Sequence, residues 1–362
     1  MEYFELMSKH EHEQVLFCYD RSVNLRAIIA IHDTTLGPAL GGLRMWSYKT
    51  EEDAVKDVLR LSKGMTYKAA VAGLNLGGGK AVIIGDPKKD KSESLFRTFG
   101  RFVDSLGGKY ITAEDVGTTV NDIEFVRMET QFVTGISTAQ GGSGDPSPVT
   151  ALGTYGGIKA CVEEVTGSSS LRGIKIAIQG CGNVGYNLIE LLHKDKAEIF
   201  VSDIDTAKLK KAEETFKVTP VTDKEIFGID ALVFAPCALG SIVNDETIPQ
   251  FKFKIIAGAA NNQLADEKKH GEMIHKKGII YAPDYVINAG GLINVYNEIL
   301  GYNREKALRE ARNIYTIVKE VLSISKTENI PTNVASNKIA ERRLLEMRRM
   351  KCKHSKEYQY LS

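Results

Sequence analysis

The chain has 362 residues, of which 43% are hydrophobic and 26% are charged, and this balance excludes a mostly disordered protein. At roughly 150 residues per domain, the length predicts about two domains. The 47 Lys and Arg residues offset 46 Asp and Glu residues, so the net charge of +1 provides no overall field that would attract nucleic acid or acidic lipid.

The sequence gives no signal for secretion, membrane insertion or metal binding. The N-terminal segment MEYFELMSKHEHEQ lacks the apolar core of a signal peptide, and no run of 18 apolar residues predicts a membrane span. The histidines form no HExxH motif. The cysteines are odd in number and never form a CxxC motif, which disfavours a disulfide framework and structural zinc: Cys18, Cys161, Cys181, Cys237 and Cys352. We therefore expect a cytoplasmic protein without a metal site.

The first part of the chain alternates predicted strands and helices. Segments rich in Val, Ile and aromatic residues predict strands at Gln14–Asp20, Arg26–Asp33, Lys80–Ile84 and Tyr110–Ala113. Apolar residues at helical spacing predict helices at Glu51–Met65, with Thr50 as its N-cap, and at Ser92–Leu106.

A glycine- and proline-rich segment, GISTAQGGSGDPSP at residues 135–148, then predicts a hinge or an active-site loop. Its last residues, Ser147 and Pro148, are typical of an N-cap and a first helical position. Strict strand–helix alternation follows and predicts an open, mostly parallel, doubly wound sheet. The strands are predicted at Ile174–Gln179, Glu198–Asp203, Asp230–Pro236, Lys254–Gly258 and Ile279–Tyr281, and the last helices at Asn288–Leu300, Arg304–Ser325 and Thr332–Arg349.

The strongest single motif is a complete G-x-G-x-x-G between a predicted strand and a predicted helix. Its residues are Gly180, Cys181, Gly182, Asn183, Val184 and Gly185. Asp203 ends the next strand, 18 residues after the last glycine. This context is that of a dinucleotide-binding turn, whereas a glycine-rich turn without a ligand is the simpler alternative.

Each position of this motif has a physical task. Gly180 permits the tight turn, Gly182 lets the backbone approach a pyrophosphate, and Gly185 lets helix and strand pack closely. The helix N-terminus supplies N–H donors and a favourable dipole to the phosphates. Asp203 would bind the adenosine ribose and repel a 2′-phosphate, so NAD is favoured over NADP. Cys181 is interpreted as a small packing residue between the motif glycines rather than as a redox site.

Two lysines lie among apolar or glycine-rich neighbours. A desolvated lysine, or one close to another cation, has a lowered pKa, so either Lys68 or Lys80 could serve as a general acid and base while the other holds a carboxylate. Three glycines precede Lys80 and permit a ligand to approach the backbone. Surface lysines at strand ends are the simpler alternative. Asp115 is a candidate carboxylate, and Glu114 beside it competes for the same role.

Six blocks of sequence carry a family resemblance: AIIAIHDTTLGPALGG, GMTYK, GLNLGGGK, ITAEDVGTT, GDPSPVTA and APDYVINAGG. Through them the chain resembles the glutamate/leucine/phenylalanine/valine dehydrogenases over essentially its whole length. The resemblance implies reversible oxidative deamination of an L-amino acid to a 2-oxo acid and ammonia, with NAD accepting the hydride from Cα. It also implies two α/β domains around a cleft. These are a catalytic and oligomerisation domain at residues 1–140, on which the C-terminal helix 331–362 packs, and a Rossmann-type NAD domain at residues 141–330.

The resemblance implies a role for each matching residue. Lys68 matches the lysine that binds the α-carboxylate, Lys80 the catalytic lysine, and Asp115 the carboxylate that exchanges protons with the substrate nitrogen. Gly42, Met65 and Asn262 match family positions that contact the substrate, and Thr150 matches a position near the nicotinamide amide.

The matching side-chain pocket is apolar: Leu40, Ala113, Leu292 and Val295. Glutamate dehydrogenases carry a lysine where this chain has Leu40, so glutamate would bury an unpaired charge here. We therefore expect leucine, isoleucine or valine as substrate, with weak discrimination because one methylene is worth only about 1–3 kcal/mol. A valine or phenylalanine dehydrogenase is the alternative. Three departures from the common pattern, Leu43, Asp145 and Leu292, affect substrate preference rather than the reaction.

The basic run from Lys338 to Lys356 favours a solvated helix face over a nucleic-acid site. The resemblance implies that this tail supports subunit association in a homo-oligomer, which is an octamer in the branch that the chain resembles most. Neither nucleic acid nor membrane is expected as a partner. The more remote alternative is a regulatory protein that binds NAD without turnover, and against it stands the joint presence of Lys68, Lys80 and Asp115.

Overall fold

The computed structural model describes residues 2–238 and 240–358, and it divides the chain into two compact α/β units. The first unit comprises Met1–Asp145, Val295–Tyr302 and Ala340–Ser362. The second comprises Pro146–Asn294 and Asn303–Ile339. The break therefore falls at residue 145 rather than at 140, and the C-terminal helix joins the first unit from residue 340 rather than from 331. Within the described residues, no helix combines the length and apolar character that a membrane span requires.

Each unit contains one sheet of six strands. The strands are β1 (Gln14–Asp20), β2 (Leu25–Asp33), β3 (Ala39–Leu40), β4 (Leu43–Trp46), β5 (Gly77–Ile84), β6 (Tyr110–Ile111), β7 (Lys175–Gln179), β8 (Glu198–Ser202), β9 (Thr219–Pro220), β10 (Val233–Pro236), β11 (Ile255–Ile256) and β12 (Ile280–Tyr281). The first sheet has the order β1-β2-β5-β3-β6, with β4 also pairing with β5. The second has the order β12-β11-β10-β7-β8-β9, and all its strands are parallel.

Thirteen α-helices are found in the described residues. They are α1 (Tyr3–His10), α2 (Glu51–Val71), α3 (Glu93–Ser105), α4 (Val120–Arg127), α5 (Ser147–Thr166), α6 (Asn183–Lys194), α7 (Thr206–Phe216), α8 (Glu267–Lys276), α9 (Asp284–Ile287), α10 (Gly290–Ile299), α11 (Arg304–Arg312), α12 (Ile314–Glu328) and α13 (Thr332–Tyr358). The predicted α/β class with two domains is confirmed.

The first sheet is covered on both faces, which explains the nearly continuous apolar run of β2. Ala27, Ile29 and Ile31 face one core together with residues of α3 and α4. Ile28 and Ala30 face the other core together with the apolar stripe of α2. Successive side chains of a strand point to opposite faces, so both cores draw on the same strands.

Several predicted bounds differ from the structure for local reasons. α2 continues past Met65 to Val71 because its last turns pack Ala69 and Ala70 into the interior, and it ends before Gly73, whose φ is +77°. The predicted helix 304–325 is two helices, since Asn313 N donates to Glu310 O three residues back and tightens the turn.

Helix α5 begins at Ser147 itself, with Pro146 rather than Ser147 as the N-cap. The reason is that Thr150 N already donates to Pro146 O, which starts the helical ladder one residue early. Pro148 therefore occupies the second helical position. The predicted strand at 110–113 is shorter, because Thr112 pairs only with Val133.

Two buried histidines join α2 to the sheet. His12 Nε2 lies 2.8 Å from Ser62 Oγ, and His32 Nδ1 lies 2.8 Å from Thr66 Oγ1. Their rings make an edge-to-face contact at 4.9 Å. Burial lowers the pKa of His12 to about 3 and that of His32 to about 4, so both imidazoles are neutral at neutral pH.

These histidines predict a loss of stability in mild acid. Unfolding restores their ordinary pKa of 6.5, so between about pH 6.5 and 4 the unfolded chain binds more protons and stability falls as the pH decreases. We expect each histidine to contribute about 2 kcal/mol of this loss between pH 7 and 5. Urea unfolding at both pH values should show a flatter pH dependence for His12→Gln and His32→Asn. His193→Asn, at an exposed histidine, serves as the control. If the free energy of unfolding depends on pH as steeply in the two buried-site variants as in the wild type, the role of these histidines is contradicted.

Candidate active site

A buried ion pair forms the centre of the first unit. Lys80 lies on β5, and its Nζ is 2.9 Å from Asp115 Oδ2. Arg44 lies on the neighbouring strand β4, and its Nε donates to the same oxygen at 3.1 Å. The Lys80 side chain is only 6% exposed, whereas that of Asp115 is 24% exposed. One carboxylate oxygen thus meets two cations at the edge of the interior.

The backbone fixes this ion pair from both sides. β4 and β5 run parallel, with Leu43 opposite Ala81. The segment that carries Asp115 runs beside β4, because Leu43 N donates to Ala113 O at 2.8 Å and Met45 N donates to Val116 O at 3.0 Å. A Cβ at Gly42 would lie 2.8 Å from the Asp115 Cβ, so glycine is needed there.

Burial and charge shift the two pKa values in a direction that suits proton transfer. Burial lowers the pKa of the Lys80 ammonium from its ordinary value; Asp115 opposes this shift and Arg44 adds to it. Burial alone would raise the pKa of Asp115, but the charges of Lys80 and Arg44 outweigh it and hold that pKa below its usual value. A lysine that loses its proton easily therefore lies beside a carboxylate that stays ionised.

Further polar and charged groups are linked to Asp115 through Arg44, and no sequence motif indicated them. Arg44 NH1 donates to Asp57 Oδ2 of α2 at 2.8 Å, and the Tyr48 hydroxyl donates to the same oxygen at 2.7 Å. Arg60 completes the group with a 3.0 Å bond to Asp57 Oδ1. Arg44 follows the block AIIAIHDTTLGPALGG by two residues, yet nothing in the local spacing shows that its guanidinium bridges two carboxylates.

Lys68 lies in the last turn of α2, on the face of the first sheet from which Lys80 projects. A Cβ at Gly78 would lie 2.1 Å from Thr66 Oγ1, so Gly78 allows α2 to approach β5 closely. Gly78 and Lys80 are two residues apart on the strand and so face the same side. Met65 is half-buried on the same helix.

The predicted side-chain residues of the first unit are apolar and mostly buried. Leu40 lies on β3, where it pairs with Gly78 and with Ile111. Ala113 lies 4.0 Å from the position that a Cβ would take at Gly135. Val295 lies on α10 and is half-buried.

The predicted hinge or active-site loop is held by a carboxylate that the sequence did not reveal. Glu298, one turn after Val295 on α10, accepts the backbone N–H of Gly135 at 3.0 Å and that of Ser143 at 2.7 Å. The N–H of Ile136 lies 3.5 Å from the same carboxylate. Glu298 thus fixes both ends of the segment 135–143.

The other predicted substrate and nicotinamide residues belong to the second unit. Thr150 lies on α5, and its Oγ1 is 3.1 Å from the Cβ position of Gly291, next to Leu292. Asn262 follows β11 in a left-handed conformation, with φ of +51°, and its carbonyl accepts Ser241 N at 2.6 Å. Nearby, the buried Gln263 donates to Gly258 O at 2.7 Å and keeps this loop in place.

The glycine-rich turn has the geometry that a dinucleotide requires. Gly180 has a φ of +104°, and a Cβ at Gly185 would lie 2.1 Å from Gly180 O, so both positions need glycine for the turn itself. A Cβ at Gly182 would meet no atom of the described chain within 4 Å. The space over Gly182 and the N-terminus of α6, which begins at Asn183 and includes Val184, therefore suits a pyrophosphate.

Asp203 is attached to the same turn. Its Oδ2 accepts the N–H of Cys181 at 2.5 Å, and its Oδ1 accepts the N–H of Asp205 at 2.7 Å. The carboxylate is half-buried at the end of β8, so it retains an accessible edge for hydroxyl donors. The turn residue Cys181 is buried, and burial raises the pKa of its thiol to about 12.

The structure also places the residues that the sequence left open. Glu114 is largely exposed, and partial desolvation of its carboxyl, together with the nearby Asp122 and Asp115, raises its pKa. Asp115, in contrast, forms the ion pair with Lys80. The departure Leu43 is fully buried in the core against α3 and α4, on the face opposite Lys80. Asp145 ends the first unit close enough to Glu114 to raise its pKa further.

Comparison with known proteins identifies two family matches. A family model described as the Glu/Leu/Phe/Val dehydrogenase dimerisation domain matches residues 12–132. A second, described as Glutamate/Leucine/Phenylalanine/Valine dehydrogenase, matches residues 141–207 and 195–351. Together they cover most of the chain.

Similar proteins include both enzymes and a solved structure. Leucine dehydrogenase from Geobacillus stearothermophilus is 56% identical over 349 residues, which are 96% of this chain and 95% of the relative. Leucine dehydrogenase from Bacillus subtilis is 56% identical over 349 residues, 96% of either chain. The crystal structure of L-tryptophan dehydrogenase from Nostoc punctiforme aligns with a TM-score of 0.86 at 49% identity, over 96% of this chain and 99% of that one.

The bridge formed by Arg44 predicts a stability effect. Arg44→Gln would leave the carboxylates of Asp57 and Asp115 without their shared cation, and we expect a loss of about 2 kcal/mol. Arg60→Gln removes an exposed partner of the same Asp57, and we expect a loss below about 1 kcal/mol. Urea unfolding at neutral pH measures both, and equal losses would contradict a special role for the buried bridge.

Proposed function

Because the chain belongs to the Glu/Leu/Phe/Val dehydrogenase family, and is therefore an amino-acid dehydrogenase, we propose that it deaminates branched-chain L-amino acids oxidatively and reversibly. L-leucine is the preferred substrate, NAD is the oxidant, and the products are the 2-oxo acid, ammonia and NADH. The observation that carries the proposal is the buried Lys80–Asp115 pair within blocks shared with this family.

The chemistry needs a base that acts near neutral pH and a second group that exchanges protons with nitrogen. NAD would be held at the turn 180–185 and would supply the hydride acceptor for Cα, so that the neutral amine becomes a protonated imine. Lys80, whose pKa is lowered by burial, then takes a proton from the water that attacks the imine carbon. Asp115 exchanges protons with the substrate nitrogen as the carbinolamine collapses to the 2-oxo acid and ammonia. The pair acts as a tuned acid–base set.

The substrate is held at its carboxylate and at its side chain. Lys68 binds the α-carboxylate from the last turn of α2, and Gly42 and Asn262 contact the substrate backbone. Leu40, Ala113, Leu292 and Val295 are assigned to the side chain by the resemblance, and all four are apolar, so they supply no cation for glutamate. Ala113 leaves less room than glycine would, which favours an aliphatic side chain over phenylalanine. Valine or phenylalanine as the preferred substrate is the alternative within the family.

The turn at residues 180–185 supports NAD as the cofactor. Gly182 offers open space above a helix N-terminus, and Thr150 is assigned to the nicotinamide amide. Asp203 would accept the ribose hydroxyls and repel a 2′-phosphate. Ile204 follows it with 89% of its surface exposed and offers an apolar surface to an adenine ring.

The first unit also supports assembly into a homo-oligomer. β1 is an edge strand, and its residues Phe17 and Tyr19 are exposed next to Tyr3 and Phe4 of α1. Exposed aromatic side chains along an open strand edge are typical of an interface. An octamer is proposed from the resemblance.

A substrate panel tests the function directly. NADH formation is followed with L-leucine, L-isoleucine, L-valine, L-phenylalanine, L-tryptophan and L-glutamate at alkaline pH. We expect the highest kcat/KM with L-leucine, because the side-chain residues are apolar and aliphatic, and no measurable rate with L-glutamate. A higher kcat/KM with an aromatic substrate would contradict L-leucine as the preferred substrate and would indicate an aromatic amino acid instead.

Two lysine variants test whether turnover depends on Lys80. Lys80→Ala should reduce kcat by at least about 100-fold, the usual worth of a general base, while NADH binding persists. Lys88→Ala, an exposed lysine that follows the same strand, is the control. NADH binding without turnover on any substrate in the wild-type protein would instead favour a regulatory protein.

The cofactor assignment predicts an effect at Asp203. Asp203→Ser removes the negative charge that disfavours a 2′-phosphate, and one charge-assisted hydrogen bond is worth about 1.5–3 kcal/mol. We expect the ratio of kcat/KM for NAD over NADP to fall by at least about tenfold. Steady-state kinetics with both cofactors measures this ratio, with the exposed Asp223→Ser as control. A ratio that stays at the wild-type value in Asp203→Ser would overturn the assignment.

A further inference from the structure

The C-terminal helix α13 does more than present a basic face to solvent. The sequence predicts that its Lys and Arg residues face solvent, but two of them bind other residues of the first unit. Arg348 NH2 donates to the buried carboxylate of Asp33 at 2.5 Å. Arg343 is half-buried against the end of α2. The side chains of Lys351, Lys353 and Lys356 lie outside the described residues.

Arg343 binds four oxygens around the end of α2. Its NH1 donates to Ala69 O at 3.3 Å and to Ala70 O at 3.0 Å. Its NH2 donates to Gly73 O and to Asn75 Oδ1, both at 3.0 Å. The carbonyls of Ala69 and Ala70 also accept N–H groups of the turn that follows α2. Arg343 adds a second hydrogen bond to each, and a cation at a helix C-terminus suits the helix dipole. The planar guanidinium reaches all four oxygens with its fixed fork of N–H donors, whereas an ammonium has only three donors.

Further contacts hold the same turn. The Tyr67 hydroxyl donates to Glu341 Oε1 of α13 at 3.0 Å. Ala70 packs in a small apolar cluster with Leu36, and Leu344 joins it from α13. Lys68 therefore stands between two residues, Tyr67 and Ala69, that α13 binds directly.

We propose that Arg343 is a positioning residue for substrate binding. It closes the last turn of α2 and so fixes the backbone from which Lys68 reaches the substrate α-carboxylate. This inference rests on the proposed function, in which Lys68 binds that carboxylate. The acid–base pair lies on other elements, with Lys80 on β5 and Asp115 after β6, so Arg343 acts on binding and leaves the chemical step intact.

Steady-state kinetics of Arg343→Ala tests the inference. We expect the KM for L-leucine to rise about tenfold or more, while kcat changes less than about threefold and the KM for NAD is unchanged. Arg343→Lys keeps the charge but loses the planar fork, and we expect about a threefold rise in KM. Should Arg343→Ala fail to fold, this second variant carries the test. Arg349→Ala, an exposed arginine on the same helix, is the control and should match the wild type.

A double-mutant cycle separates positioning from a general structural role. If Arg343 acts through Lys68, Lys68→Ala combined with Arg343→Ala should raise KM no further than Lys68→Ala alone. Multiplicative effects in the cycle, or a lowered melting temperature with an unchanged KM, would overturn the inference. Wild-type protein without activity on any amino acid would overturn the proposed function itself, whereas active wild type with unaltered Arg343 variants would overturn this inference alone.

Discussion

The Lys80 ammonium can stay inside the first unit only because the Asp115 carboxylate meets it there. A buried charge without a partner costs several kcal/mol, and a buried lysine relieves that cost by losing its proton more easily. Two opposing effects act on the Lys80 ammonium. Asp115 stabilises the charged form, while burial and Arg44 favour the neutral one. The same burial that makes the residue costly to keep charged lowers its pKa and so suits the proposed role as a base.

The architecture of the first unit serves this pair. A sheet covered on both faces gives β5 a dry environment, and the glycines before Lys80 let α2 and β3 approach without side chains in between. Gly42 leaves room for Asp115, and β4 holds the segment that carries it. The structure therefore uses small residues to bring backbone close to backbone, and it reserves the remaining space for a few charged groups.

Other charged groups bind backbone atoms in each unit. Glu298 binds both ends of the segment 135–143, and Arg343 closes the last turn of α2. In the second unit, Asp203 binds the N–H of Cys181 and steadies the glycine-rich turn. Each of them adds hydrogen bonds to backbone groups, so the loops and helix ends that carry the proposed site residues are tied to neighbouring segments.

Local sequence patterns are enough to predict the α/β class, the position of the glycine-rich turn, the family and the candidates Lys68, Lys80 and Asp115. These features are local, since they depend on the period of apolar residues and on short blocks with characteristic spacing. Tertiary structure alone decided that Asp115 rather than Glu114 faces Lys80, that Leu43 is a core residue, and that Arg44, Glu298 and Arg343 hold the site. The Lys80–Asp115 contact spans 35 positions and the Arg343–Ala69 contact spans 274, and no local pattern encodes such pairs because they form only when separate strands and helices pack together.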